Sequence, residues 1–161
     1  QVAYTFLMAM ILIFSVHGIT RIYAAQKGWG MMFVALATYL CDTGAYFFGS
    51  FFGKHKMAPR ISPNKTWEGS AGGYLLGAAA GLIFGLLMIK DLPSSLIIAA
   101  SFVLPAVAQI GDLAFSSIKR AWEMKVFGSL LPGHGGVLDR IDSLLFCLIV
   151  FNYLMALWGI V

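Results

Sequence analysis

The sequence predicts an all-α fold: a polytopic membrane helix bundle with about five transmembrane helices and a polar cavity open to the cytoplasm. Three observations carry this. Of 161 residues, 60% are hydrophobic and only 11% are charged, whereas soluble domains carry about 25% charged residues. Mean hydropathy is +0.84. The apolar residues fall into continuous runs, and the few acids that interrupt those runs recur toward one end of them.

The runs cover roughly 2–20, 29–52, 70–89, 94–117 and 137–161. Each is near the ~20 residues that cross a bilayer as helix. A β-barrel would instead show short alternating segments. The first residue is Gln1, and the first run has neither the basic flank nor the small-residue cleavage site of a signal peptide. The expectation is therefore one membrane domain over 1–161, forming the C-terminal part of a longer polytopic protein. Cys41 and Cys147 are too few and too far apart for a zinc site. They read as free thiols packed among helices.

If the five runs alternate direction, the loops at 53–69 and 118–136 share one side. Lys54, Lys56, Arg60, Lys65, Lys119, Arg120, Lys125 and Arg140 lie there, against Arg21, Lys27 and Lys90 on the other side. The positive-inside rule makes the first side cytoplasmic and the C-terminus external. Topology and anionic lipid would account for this asymmetry by themselves. The acids ask for more. Asp42, Asp112, Asp139 and Asp142 lie within or beside three apolar runs, where a carboxylate costs about 2.5 kcal/mol or more unless it is paired, hydrated or metal-bound. Counting at about 1.5 Å per residue from the cytoplasmic ends, Asp112 is roughly 9 Å deep and Asp42 roughly 15 Å deep. Asp139 and Asp142, three residues apart, share one helix face. Four acids gathered there would define a polar cavity. Their mutual repulsion calls for cations, either a divalent metal, with oxygen ligands suiting Mg²⁺, or Lys and Arg in buried pairs.

Three segments carry candidate chemistry. Asp42-Thr-Gly-Ala-Tyr-Phe-Phe-Gly49 sets an acid one turn before an aromatic face. In Ser62-Pro-Asn-Lys-Thr-Trp-Glu-Gly69, Ser62 or Asn64 could cap the following helix and Pro63 set the turn, while Lys65 and the helix-start N–H groups could receive an anion. Residues 116–142 put eight ionisable side chains and a Gly133-His134-Gly135-Gly136 turn directly before the last apolar run. Glycines there allow close backbone approach to an anion, and His134 could donate to a phosphate oxygen. Asp112, in Gln-Ile-Gly-Asp-Leu, sits oddly near the end of an apolar run unless something binds it. With Asp139 it makes a minimal two-carboxylate Mg²⁺ site. His17 and His55 have no comparable setting.

The third segment, with Ser116, Lys119-Arg120, Lys125, His134-Gly135-Gly136 and Asp139-Arg140-Ile141-Asp142, resembles the signature of phosphatidate cytidylyltransferases, the CDP-diacylglycerol synthases. The family's Lys-Asp pair reads Lys125-Val126 here. Ser62 to Gly69 resembles the S-P-N-K-T-W-E-G segment of the same family. The resemblance implies transfer of a cytidylyl group from CTP to phosphatidic acid, with release of pyrophosphate. The phosphatidate oxygen is already an anionic nucleophile, so catalysis would rest on positioning and charge neutralisation. Under that reading Mg²⁺ sits on Asp112 and Asp139. Asp142 and Asp42 complete the cluster around a second cation, K⁺ or a second Mg²⁺. Ser62, Asn64, Lys65, Lys119, Arg120 and Arg140 bind the triphosphate and the lipid phosphate, while Lys125, His134, Gly135 and Gly136 close over them. The expected partners are CTP, phosphatidic acid and membrane lipid, with a homodimer open as the oligomeric state and no nucleic acid. The expected location is a bacterial inner (plasma) membrane with the site facing the cytoplasm. Two other readings are a CTP-dependent polyprenol or phytol kinase, which would need a general base, and an ion-coupled transporter with Asp42 and Asp112 in its pathway.

Overall fold

The structure, a computed structural model, describes residues 2–122 and 138–160. Among these are four helices long and apolar enough to cross a membrane: α1 (Val2–Phe52), α2 (Trp67–Met88), α3 (Ser94–Ala121) and α4 (Leu138–Leu157). The apolar runs expected at 70–89 and 94–117 correspond to α2 and α3, and α4 lies within the run at 137–161.

The first two expected runs share a single element. At 51 residues, a straight α1 would measure about 75 Å, far more than the ~30 Å hydrocarbon core. It is not straight. Lys27 has φ 51° and ψ −138°, outside helical geometry and on the side of φ that side chains rarely adopt. The two arms lie along α4 in opposite senses. In the first arm Ser15 donates to the Leu145 carbonyl at 3.1 Å, and Gly18 packs on Leu148 and Asn152. In the second, the Phe33 ring packs tilted against Phe151 with centroids 5.4 Å apart, and Asp42 accepts from the Ser143 hydroxyl at 2.8 Å. Position along α4 rises with the first arm and falls with the second, so the chain reverses at Lys27. Gly30 permits the crowding there: a Cβ on it would stand 2.8 Å from Cβ of Gln26 and 3.0 Å from Cγ2 of Ile22.

The second arm of α1 packs tightly on α2 through glycines spaced by four. A Cβ on Gly69 would lie 2.6 Å from the Ala45 carbonyl, and one on Gly77 would lie 2.7 Å from that of Ala37. Without a driving force between apolar helices in lipid, such close backbone approach gives the packing its strength. The buried centre comprises Phe33, Leu96, Ile97, Leu104, Leu148, Phe151 and Met155. Large apolar side chains such as Leu75, Ile83 and Leu87 are more than half exposed on the outside, the distribution expected of a surface that meets lipid. Cys41 and Cys147 are free and buried, their thiols directed at the carbonyls of Pro105 and Leu104.

Between α1 and α2 the all-α expectation is modified. Strands β1 (Lys56–Ala58) and β2 (Ser62–Thr66) form an antiparallel hairpin, with Lys56 opposite Thr66 and Ala58 opposite Ser62. Its turn is at 59–61, so Pro63 lies in a strand rather than setting the turn.

Candidate active site

The hairpin is fastened to the bundle by the first turn of α2. Glu68 accepts from the backbone N–H groups of Lys54 (3.2 Å) and His55 (3.3 Å), and pairs with His55 Nδ1 at 2.6 Å. Trp67 N–H donates to the His55 carbonyl at 3.0 Å. Thr66 is the N-cap of α2, accepting from Gly69 N–H at 3.2 Å. The expected cap at Ser62 or Asn64 is therefore corrected, since both lie in β2, upstream of the cap. At this helix start the expected anion would meet Lys65 and a changed set of backbone groups. The N–H groups of Trp67 and Gly69 already have partners, and Glu68 adds a negative charge that would repel an anion.

What the hairpin does is carry Lys65 over the bundle. Lys65 Nζ lies 2.6 Å from Asp112 Oδ2, with about a quarter of the Lys65 side chain and a third of the Asp112 side chain exposed. The pair lines a cavity of about 190 Å³ together with Asp42, Tyr46, Asn64, Thr66, Ser70 and Gln109. The cavity thus draws on the second arm of α1, the hairpin, α2 and α3.

Alongside it stands a second charged group. Lys119 Nζ reaches Asp139 at 3.0 Å and Asp142 at 3.7 Å, and all three side chains are nearly buried. One lysine meeting both acids bears out their shared helix face. Ser143 joins the two groups: its N–H donates to Asp142 at 2.8 Å and its hydroxyl to Asp42 at 2.8 Å. Asp42 thus stands beside Asp142 through Ser143 and lines the same cavity as Asp112, so carboxylates from α1, α3 and α4 share one neighbourhood. Ser116 donates to Asp112 at the long distance of 3.4 Å.

Other expected site residues are less central. Arg120 is exposed, and its Nε donates to the Ile61 carbonyl at 3.2 Å, tying the end of α3 to the hairpin turn. Arg140 is exposed in the first turn of α4, and Ser62 is half-buried in β2. Lys125, His134, Gly135 and Gly136 lie outside the described residues.

The residue types suit a hard cation, because the acids offer oxygen only and Mg²⁺ is commonly held by one or two carboxylates plus water and phosphates. The arrangement does not present a finished cage. Among the described residues, no group of three or more His, Cys, Asp or Glu stands at metal-ligand spacing. Asp112 and Asp139, expected as a pair on one ion, each hold a different lysine. The residues fit Mg²⁺ if the carboxylates exchange one cation for another.

Gln109 was not singled out from the sequence. Its amide holds Ser70 twice, donating to the Ser70 carbonyl at 2.8 Å and accepting from the Ser70 hydroxyl, and also donates to Cys41 Sγ at 3.4 Å. The signal was present: Gln109 precedes Asp112 by three residues, hence on the same helix face. Ser143 and Tyr46 carry the same signal, four residues after Asp139 and Asp42 respectively.

Fold and site together define a bundle of helices long and apolar enough to cross a membrane, in which Lys65 pairs with Asp112 and Lys119 with Asp139 and Asp142 beside a cavity. A profile described as the cytidylyltransferase family matches residues 1–158. The chain belongs to that family. It is 41% identical over 135 residues to a phosphatidate cytidylyltransferase of Bacillus subtilis (strain 168), covering 83% of this chain and 50% of that protein. It is also 42% identical over 125 residues to the phosphatidate cytidylyltransferase of Staphylococcus saprophyticus, covering 78% and 48%. The chain spans about half the length of the curated relatives it matches.

Proposed function

We propose that the protein transfers the cytidylyl group of CTP to phosphatidic acid, releasing pyrophosphate, at a site inside five membrane spans that opens to the cytoplasm. The observation that carries this is the cavity where Lys65, Asp112 and Asp42 meet. It brings together three segments that stand far apart in the chain, each with the side chains that handling of phosphates requires.

The reversal at Lys27 supports counting α1 as two spans. The Arg120–Ile61 contact supports one shared side for the hairpin and the end of α3. That side carries most of the basic residues, which favours the cytoplasm.

In the reaction, an oxygen of the phosphatidate phosphate attacks the α-phosphorus of CTP. The bond from that phosphorus to the bridging oxygen of the β-phosphate breaks, and the electron pair leaves with pyrophosphate. The nucleophile is already anionic, so no side chain need remove a proton. Lys65 reaches the cavity from a strand and would turn from Asp112 to the incoming phosphates. Lys119, Arg120 and Arg140 would hold the remaining phosphate charge, with Lys125, His134, Gly135 and Gly136 closing over it. Ser62 and Asn64 would contribute from the hairpin, where Asn64 lines the cavity. Asp42, Asp112, Asp139 and Asp142 would hold Mg²⁺, which supplies charge neutralisation across the phosphates. A second cation, K⁺ or Mg²⁺, would share the same carboxylates. Supplying labelled CTP and phosphatidic acid to the purified full-length protein should yield labelled CDP-diacylglycerol and an equal amount of pyrophosphate. Absence of both products with Mg²⁺ present would refute the reading.

A further inference from the structure

A second space adjoins the cavity that holds Lys65 and Asp112, and no charged side chain lines it. It is a groove of about 520 Å³ between α2 and α3, within the range of small-molecule sites, about 300–1,000 Å³. On α2 its lining follows Trp67, Ser70, Ala71, Tyr74 and Leu75, and on α3 Ala106, Gln109, Ile110 and Leu113. These spacings place each set on one face of its helix. Trp67, Leu75 and Ile110 are more than half exposed, so the groove opens on the outer surface of two apolar helices. Ala71 and Ala106, short side chains facing the space, leave it unfilled.

The groove and the polar cavity share a wall. Met57, Ser70, Gln109 and Leu113 line both. On one side of that wall stands the Lys65 ammonium, and on the other an apolar channel facing outward. The chemistry that satisfies both at once is an amphiphile with an anionic phosphate and an aliphatic chain. The geometry points to the α2–α3 groove as the subsite for an acyl chain of the lipid acceptor, with the Ser70–Gln109 pair at the boundary between chain and phosphate. This rests on the function proposed above and adds where the lipid enters and what measures its chain.

The test fills the groove without touching the cavity. Ala71 is exposed and Ala106 half-buried, so Ala71→Leu and Ala106→Leu extend into the groove rather than into the core. Each should raise KM for dioleoyl phosphatidic acid by roughly tenfold or more, the scale of one methylene in an apolar pocket. KM for CTP and for water-soluble dihexanoyl phosphatidic acid should stay unchanged. An equal response to both lipids, or none to either, would overturn the subsite. A second measurement needs neither turnover nor a variant. Phosphatidic acid with a diazirine on its acyl chain should photolabel the segments around Ala71 and Ala106 in the full-length protein, well above a matched phosphatidylcholine probe. Equal labelling by the two would reduce the groove to general lipid contact. No labelling would mean that a protein helix, from a second copy or another part of the chain, covers it. Either result would overturn the proposal. Selective photolabelling in a protein that makes no CDP-diacylglycerol would keep the groove and discard the proposed reaction.

Discussion

Lys65, on a strand ahead of the second helix, closes a 2.6 Å ion pair with Asp112 near the cytoplasmic end proposed for the third. The pair is only partly screened, since each side chain keeps no more than about a third of its surface exposed. It gives the hairpin a place in the site, because nothing else from that loop carries a positive charge into the cavity.

If Lys65 and Asp112 act as one unit, their loss should not add. Lys65→Met should lower kcat/KM by about 10²-fold or more, the usual cost of removing one preorganised charge-stabilising donor. Asp112→Asn should do likewise, and the double variant should fall little further. Steady-state kinetics on the three proteins checks this, and multiplicative losses would separate the two roles.

The metal assignment predicts a dependence on divalent ion that the carboxylates control. Asp112→Asn and Asp139→Asn should each remove most turnover at limiting Mg²⁺ while leaving thermal unfolding nearly unchanged, because a lost ligand weakens the ion that offsets phosphate charge. Titrating Mg²⁺ against initial rate in each variant measures it. Rates that match the unmodified protein at every Mg²⁺ concentration would remove the metal from these residues.

Lys119 faces two acids in a nearly dry setting. Lys119→Ala leaves Asp139 and Asp142 without that partner, and breaking a buried pair in this way costs about 3–5 kcal/mol. Adding Asp142→Asn should restore part of the loss, since one of the two carboxylate charges that Lys119 offsets is gone. Denaturant unfolding in detergent reads both effects.

Gly77 tests the packing that holds the site in shape. Exchanging an interior helical glycine for alanine favours helix by about 1 kcal/mol. Here the new Cβ would sit 2.7 Å from the Ala37 carbonyl and 2.8 Å from Cys41 Cβ. Overpacking of that kind costs about 1–3 kcal/mol, and neighbouring backbone cannot easily yield. Gly77→Ala should therefore lower the unfolding midpoint, and a raised midpoint would show that α1 and α2 can part without penalty.

Topology follows from the charge bias and the reversal in α1. With Cys41 and Cys147 replaced by alanine, single cysteines at Lys56 and Lys90, both exposed, should label from opposite faces of sealed vesicles with a membrane-impermeant maleimide. Labelling from one face would change the parity of the spans.

Hydropathy by itself marked the stretches that form long apolar helices, although the first two runs share one element, because a run of about 20 apolar residues must satisfy its backbone internally wherever lipid surrounds it. The motifs at 42–49, 62–69 and 116–142 likewise named most of the residues now seen at the site, since short spacing places Asp139 and Asp142 on one helix face whatever the helix packs against. Tertiary structure decided the rest. Lys65 meets Asp112 from the hairpin to α3, and Lys119 meets Asp139 and Asp142 across α3 and α4, so which lysine meets which acid depends on how these elements pack. The hairpin formed where a capped loop was expected, because Glu68 gathers the backbone of Lys54 and His55 and moves the cap to Thr66. Gln109 takes its place because Ser70 and Cys41 lie opposite it. Helical periodicity is local and legible in sequence, whereas an ion pair between Lys65 and Asp112 is a property of packing and appears only once the helices have found each other.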